Sequence, residues 1–190
     1  MAFRAVNQRA KFGHEIAAAV DFVPVGLVYS RLEWLKREKS MFVGRQFALG
    51  RLEGLWKKST PSLVTVRGRR RIGKTFLVHE AFKRSFAFHH TGLKNAPTRK
   101  QLDQFRLSLR QQGYFDCPRL KDWLEAFFEL ENFLSRSVAS RKVVFIDEMP
   151  WLDTARSGFL TALEGFWNGW ASLRNDIVLI ACGSATSWIV

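Results

Sequence analysis

The chain has 190 residues, a length that suits one ordinary domain and is short for two. Hydrophobic residues make up 47% of it, which excludes a disordered chain. No run of about 20 apolar residues occurs, so the sequence predicts no membrane-spanning helix. The formal net charge of +13 excludes an acidic, solvating protein and leaves three kinds of polyanionic partner open: nucleotides, nucleic acids and anionic membranes.

The positive charge is concentrated in one part of the chain. Between Met41 and Lys121 there are 18 Lys and Arg against 4 Asp and Glu, whereas from Asp122 onwards there are 5 against 9. We therefore expect the basic surface to belong to the first of these two segments.

Residues 1–40 differ from the rest and are predicted to be a loosely ordered extension or a mis-called start. Their apolar stretch is interrupted by Pro24 and Gly26, so it lacks the unbroken core of a secretory signal, and their acidic residues argue against a mitochondrial presequence. The two cysteines, Cys117 and Cys182, are far apart and form no metal-ligand or CxxC spacing. Buried thiols in a reducing compartment fit best, which predicts a cytoplasmic protein.

Beyond Met41, helical and strand-like patterns alternate. Apolar residues at helical spacing predict helices over residues 45–58, 74–84, 98–112, 120–137 and 156–173. Short apolar or β-branched runs predict strands at Leu63–Val66, Phe86–Phe88, 142–146 and Ile177–Ala181. Alternation of this kind indicates an α/β fold around a mostly parallel sheet.

A phosphate-binding loop is predicted at residues 68–75, whose sequence GRRRIGKT matches G-x-x-x-x-G-K-[ST] between a strand and a helix. The glycines let successive N–H groups curl around a phosphate, and the amino end of the following helix adds partial positive charge. Lys74 would reach the β- and γ-phosphate oxygens, and the Thr75 hydroxyl would ligate Mg²⁺. The predicted ATP-binding stretch comprises Gly68, Arg69, Arg70, Arg71, Ile72, Gly73, Lys74, Thr75 and Phe76.

Two carboxylates end the apolar strand at residues 142–146. Ligands of parallel sheets bind at the carboxyl ends of the strands, so Asp147 and Glu148 are expected to face a site. Asp147 would hold Mg²⁺, and Glu148 would orient or deprotonate the attacking water. Such a strand end alone also fits a solvated turn, and the loop 72 residues upstream is what favours the functional interpretation.

A third polar segment follows the strand Ile177–Ala181. Ser184 is the first candidate for a contact with the γ-phosphate, and Thr186 is the second. A polar turn or a helix N-cap explains these side chains equally well.

Four stretches together resemble the archaeal-type P-loop ATPases of the AAA+/STAND group. They are FVGRQ at 42–46, the phosphate loop, VVFIDEMPWL at 143–152 and LIACGSATSW at 179–188. The resemblance covers residues 41–190, and its start at Met41 is why the preceding residues are interpreted as an extension. In that family a V-G-R-E-x-E-L box opens the nucleotide-binding domain near the adenine, whereas here Gln46 and Ala48 replace the two glutamates.

The resemblance implies a three-layer P-loop NTPase fold of the additional-strand type, with strand order 5-1-4-3-2. Residues 41–190 would supply strands 1-4-3-2 of an incomplete ATP-binding domain, with strand 5, the helical lid and an effector domain missing. The phosphate-loop strand would then form an exposed edge of the sheet, which is an aggregation hazard.

The function implied is ATP binding with Mg²⁺-dependent hydrolysis, in which Lys74 and Glu148 are the catalytic side chains. One alternative is a nucleotide-binding switch that does not hydrolyse ATP. A second is a basic nucleic-acid-binding protein, which the arginines at 67 and 69–71 suggest although no recognition motif supports it. A third is a non-functional remnant that does not fold alone. A homo-oligomer is also open, with Arg156 or Arg174 acting as an arginine finger in a neighbouring subunit.

Overall fold

The structure, a computed structural model, describes residues 17–20, 45–83 and 85–184. Five strands occur in these residues: β1 (Ala17–Val20), β2 (Ser62–Gly68), β3 (Phe88–Thr91), β4 (Lys142–Asp147) and β5 (Ile177–Ser184). They form one sheet in the order β1-β2-β5-β4-β3, and every neighbouring pair is parallel. The described sheet is therefore of the crossover-connected kind that the alternating sequence pattern predicts.

Five α-helices connect and cover the strands. They are α1 (Gln46–Trp56), α2 (Lys74–Ala81), α3 (Thr98–Gln111), α4 (Trp123–Ser135) and α5 (Phe159–Gly169), with short 3₁₀ helices at Met149–Trp151 and Ala171–Leu173. The start of α4 shows how the sequence sets a boundary, because the Asp122 carboxylate accepts a hydrogen bond from the Glu125 N–H at 2.9 Å. No helix in the described part of the chain is both long and apolar enough to cross a bilayer.

Two apolar cores lie on opposite faces of the sheet. Successive residues of β4 alternate between them: Val143 and Phe145 pack with α1 and α2, whereas Val144 and Ile146 pack with α3, α4 and α5. All six residues of β4 are buried, as expected of a central strand with helices on both faces. The predicted three-layer α/β fold with a mostly parallel sheet is confirmed, and the order β2-β5-β4-β3 is the predicted order 1-4-3-2.

The outer edge of β2 differs from the sequence-based expectation. Ala17–Val20 lies beside β2 in parallel, with Ala17 opposite Val64 and Val20 opposite Val66. The prediction that the phosphate-loop strand forms an exposed edge is therefore wrong. The segment AAAV carries one β-branched residue, so local propensity gave no sign of a strand, and pairing with β2 decides its conformation. The rest of the predicted extension lies outside the described residues.

Several boundaries also differ from the sequence pattern. The strand predicted at Ile177–Ala181 runs on to Ser184, so the expectation that Ser184 follows the strand is wrong. The third strand runs over Phe88–Thr91 rather than Phe86–Phe88, because its pairing with β4 begins at Phe88 opposite Val144. The predicted helix at 156–173 is shortened to α5, since Gly158 adopts a left-handed conformation with φ 71° just before it. The later start of β3 matters for the site, because its last residue, Thr91, is level with Asp147.

Candidate functional site

The phosphate loop joins the end of β2 to the start of α2. Gly73, the residue before the helix, has φ 79°, and Arg71 has φ 60°. Glycine suits the first of these positions because the left-handed region costs it no steric strain. Arg69, Arg70 and Arg71 are all exposed. The loop thus has the curled backbone that the sequence motif predicts.

The Lys74 side chain lies inside the loop. It is only 6% exposed, and its Nζ donates hydrogen bonds to the carbonyl oxygens of Gly68 at 3.1 Å and Arg69 at 2.9 Å. The two carbonyl oxygens hold the ammonium group inside the loop. The loop therefore holds a positive charge where an anion would enter.

A hydrogen bond joins the phosphate loop to the acidic end of β4. The Thr75 hydroxyl donates to Oδ2 of Asp147 at 2.7 Å, although the two residues are 72 positions apart. Asp147 is 5% exposed, and its other oxygen, Oδ1, accepts the Glu148 N–H at 2.9 Å. A hydroxyl and a carboxylate oxygen in contact are the ligands that Mg²⁺ takes at such loops, so these two residues fit the ion. No cluster of three or more His, Cys, Asp or Glu that could hold a metal occurs among the described residues.

Glu148 directly follows β4 in a left-handed conformation, with φ 48°. Its Oε2 is buried and has no hydrogen-bond partner among the described residues. Burial, and secondarily the charge of Asp147, raises the pKa of the Glu148 carboxyl above its ordinary value, and Lys74 and Arg70 oppose this. An unpaired carboxylate of raised pKa beside a phosphate loop is suited to accept a proton from water.

Of the other residues predicted from the sequence, Ser184 lies next to the phosphate loop and Arg174 lies at the opposite end of the sheet. Ser184 ends β5, opposite Gly68, and is 1% exposed, so it lies in the sheet beside the start of the loop. Thr186 lies outside the described residues. Arg174 lies at the other end of the sheet, before β5, where it forms an ion pair with Asp176 at 2.8 Å. Arg156 is exposed, with φ 62°.

Two contacts at the loop were not predicted from the sequence. The Arg45 guanidinium approaches Gly73, where a Cβ would lie 3.5 Å from Nη1, so the end of the FVGRQ stretch lies beside the loop. Val43 and Gly44 of that stretch lie outside the described residues. The Arg70 guanidinium lies over the Trp151 ring, 5.6 Å from its centroid. A tryptophan three residues after Glu148 was the available sequence signal for this second contact.

Cys182 also lies near the acidic strand end. It is 1% exposed on β5, and its thiol hydrogen-bonds to Asp147. Burial is the largest cause that raises the pKa of this thiol, and the Asp147 carboxylate adds to it. The thiol therefore stays protonated and neutral beside the carboxylate.

No family model matches the chain, and no curated protein matches it. Among solved structures, a Walker-type ATPase of Pyrococcus abyssi aligns with 75% of this chain at 16% identity and a TM-score of 0.48. The chain covers 45% of the length of that protein. At this level of similarity, functional assignment depends on the geometry of the site itself.

Proposed function

We propose that this chain is a P-loop ATP-binding domain of the AAA+/STAND kind, and that it hydrolyses ATP in the presence of Mg²⁺. The observation that carries the proposal is the hydrogen bond of 2.7 Å between Thr75 and Asp147. It brings together two motifs that the sequence separates, at the carboxyl ends of β2 and β4, which flank β5 in the parallel sheet. Nucleotides bind at this edge of such sheets.

The residues of the loop would bind the phosphates. The backbone N–H groups of residues 68–75 and the amino end of α2 offer donors and partial positive charge. Lys74 would exchange its two carbonyl partners for oxygens of the β- and γ-phosphates. Arg69 and Arg71, which are exposed, add positive potential that favours the approach of a polyanion.

Thr75 and Asp147 would hold Mg²⁺. When bound, the ion neutralises charge on the transferring phosphoryl group. Glu148 would accept a proton at its unpaired carboxylate from the water that attacks the γ-phosphorus, and the bond to the leaving ADP oxygen breaks in line with that attack. Ser184 is the candidate for a hydrogen bond to the γ-phosphate, because it ends the strand beside Gly68.

The test is phosphate release by the purified full chain with Mg·ATP. We expect measurable turnover that Glu148→Gln lowers by about 100-fold or more while ATP affinity is retained. Glu164→Gln on α5 is a matched control, because that exposed carboxylate belongs to a helix outside the site. ATP binding without any phosphate release would replace the hydrolysis proposal by the non-hydrolysing switch. Salt-sensitive nucleic-acid binding that survives Lys74→Ala would favour the nucleic-acid alternative.

A further inference from the structure

The Gln101 side chain connects three parts of the structure through its amide group. It is fully buried on α3, and its Oε1 accepts the Leu93 N–H at 2.9 Å. Its Nε2 donates to the Leu93 carbonyl at 2.6 Å and to the Trp151 carbonyl at 2.9 Å. Both amide hydrogens are therefore used, one on the loop after β3 and one on the 3₁₀ turn after β4.

Both of those segments touch the main chain of Glu148. On one side, the Trp151 N–H donates to the Glu148 carbonyl at 2.9 Å. On the other, the Gly92 N–H donates to the Asp147 carbonyl at 3.0 Å, and a Cβ on Gly92 would lie only 2.8 Å from the Glu148 carbonyl oxygen. The loop after β3 and the 3₁₀ turn thus enclose Glu148, and Gln101 holds these two segments together.

The conformation that they enclose is one that glutamate rarely adopts. Glu148 has φ 48°, in the left-handed region, where a side chain beyond glycine persists only if the surroundings hold it. Its carboxylate is unpaired among the described residues, so no side-chain hydrogen bond of its own fixes it. The main-chain contacts are what orient the residue.

Trp151 extends the connection to the phosphate loop. Its carbonyl is bound by Gln101 and its N–H by Glu148, while its ring lies under the Arg70 guanidinium. One residue held by Gln101 therefore contacts both the acidic turn and the loop.

We infer that Gln101 is a positioning residue for the hydrolytic step: through Trp151 and the Gly92–Leu93 main chain, it fixes Glu148 in its left-handed conformation beside the phosphate loop. This inference rests on the proposed ATPase function. The hydrogen bonds of the Gln101 side chain go to Leu93 and Trp151 and not to the phosphate loop, so it acts on turnover through Glu148 and contributes little to nucleotide affinity.

The first test compares two glutamines of the same helix region. Gln101→Leu removes the three hydrogen bonds at similar side-chain size. Gln112→Leu is the matched control, because the Gln112 amide binds both main-chain groups of His89 and the Ser108 carbonyl, away from Glu148. We expect Gln101→Leu to lower kcat by about tenfold or more with KM and the Kd for Mg·ATP changed by less than about twofold. Gln112→Leu should leave kcat within about twofold of wild type. An equal fall in kcat for both variants, or a fall in affinity alone, would overturn the inference.

A double-mutant cycle separates positioning from general destabilisation. In the Glu148→Gln background, Gln101→Leu should cause no further loss of turnover, because the group it positions is already absent. The same tenfold loss in both backgrounds would overturn the inference. If Gln101→Leu does not fold, Gln101→Met replaces it, since that unbranched side chain has a similar length and lacks both N–H donors.

Amide hydrogen exchange separates this inference from the proposed function. Gln101→Leu should speed exchange at the Trp151 amide by about tenfold or more, whereas Gln112→Leu should not. Faster exchange in Gln101→Leu, together with a wild type that binds Mg·ATP but does not turn it over, would show that Gln101 holds the turn and that the hydrolysis proposal is wrong. Unchanged exchange would overturn the positioning role whatever the turnover.

Discussion

Replacing Thr75 by valine tests the contact between the two motifs without any ligand. Valine keeps the branched shape and has a similar helix propensity, so the change removes little besides the hydroxyl. The lost hydrogen bond is made to a carboxylate, and such bonds contribute about 1.5–3 kcal/mol. Asp147 is 5% exposed and keeps its bond to the Glu148 N–H, but Thr75 is exposed, so water can replace the hydroxyl. We therefore expect the lower end, a loss of about 1.5 kcal/mol in the free energy of unfolding.

Urea denaturation of the nucleotide-free protein measures this loss from the midpoint and the slope. Thr91→Val is the matched control, since Thr91 lies opposite Asp147 in the sheet. Its hydroxyl is exposed, and its contact with His89 Nε2 is long, at 3.5 Å. The control should change stability by less than about 0.5 kcal/mol. Equal losses in the two variants would refute the reasoning, because the Thr75–Asp147 bond would then contribute nothing to the fold.

Three further predictions concern the acidic turn and the sheet edge. Because burial raises the pKa of Glu148, its ionised form destabilises the nucleotide-free protein. Glu148→Gln should therefore be more stable than wild type at pH 7. The difference in the free energy of unfolding should grow as the pH rises above the ordinary glutamate pKa of 4.5, and denaturation at several pH values measures it. Gly92→Ala should lower both stability and turnover, since its Cβ would lie 2.8 Å from the Glu148 carbonyl oxygen. The control is Gly50→Ala in α1, where a Cβ meets open space. In thermal denaturation the control should stabilise the protein by about 0.5–1 kcal/mol. Deleting residues 1–40 removes Ala17–Val20 from the edge of β2 and should increase light scattering on storage, and unchanged solubility would contradict this.

Much of the fold could be predicted from the sequence because its signals are local. The apolar run Lys142–Asp147 and the glycine-containing loop before α2 are each specified by consecutive residues, and the structure has both at the predicted positions. The strand Ala17–Val20 could not be predicted, because alanine has little strand propensity and its pairing partner lies more than 40 residues away.

The site shows the same division. Lys74, Thr75 and Asp147 were identified from motif spacing, and the structure brings them together. Gln101 and Gly92 could not be identified, because a glutamine in a helix and a glycine after a strand carry no motif. Their role depends on the packing of α3 and the loop after β3 against the turn that follows β4, which only the tertiary structure provides.

The most direct test of the central claim is Mg·ATP-dependent thermal stabilisation of the full chain, with Lys74→Ala measured beside it. Lys58→Ala is the matched control, because that lysine is exposed beyond the end of α1. A ligand at about 100 times its Kd stabilises a folded protein by about 2.7 kcal/mol, so the account predicts a saturable rise in Tm for the wild type and for Lys58→Ala. The rise should be lost in Lys74→Ala. A sharp unfolding transition that Mg·ATP does not move, or a rise that persists without Lys74, would contradict the assignment of residues 68–75 as the phosphate-binding loop.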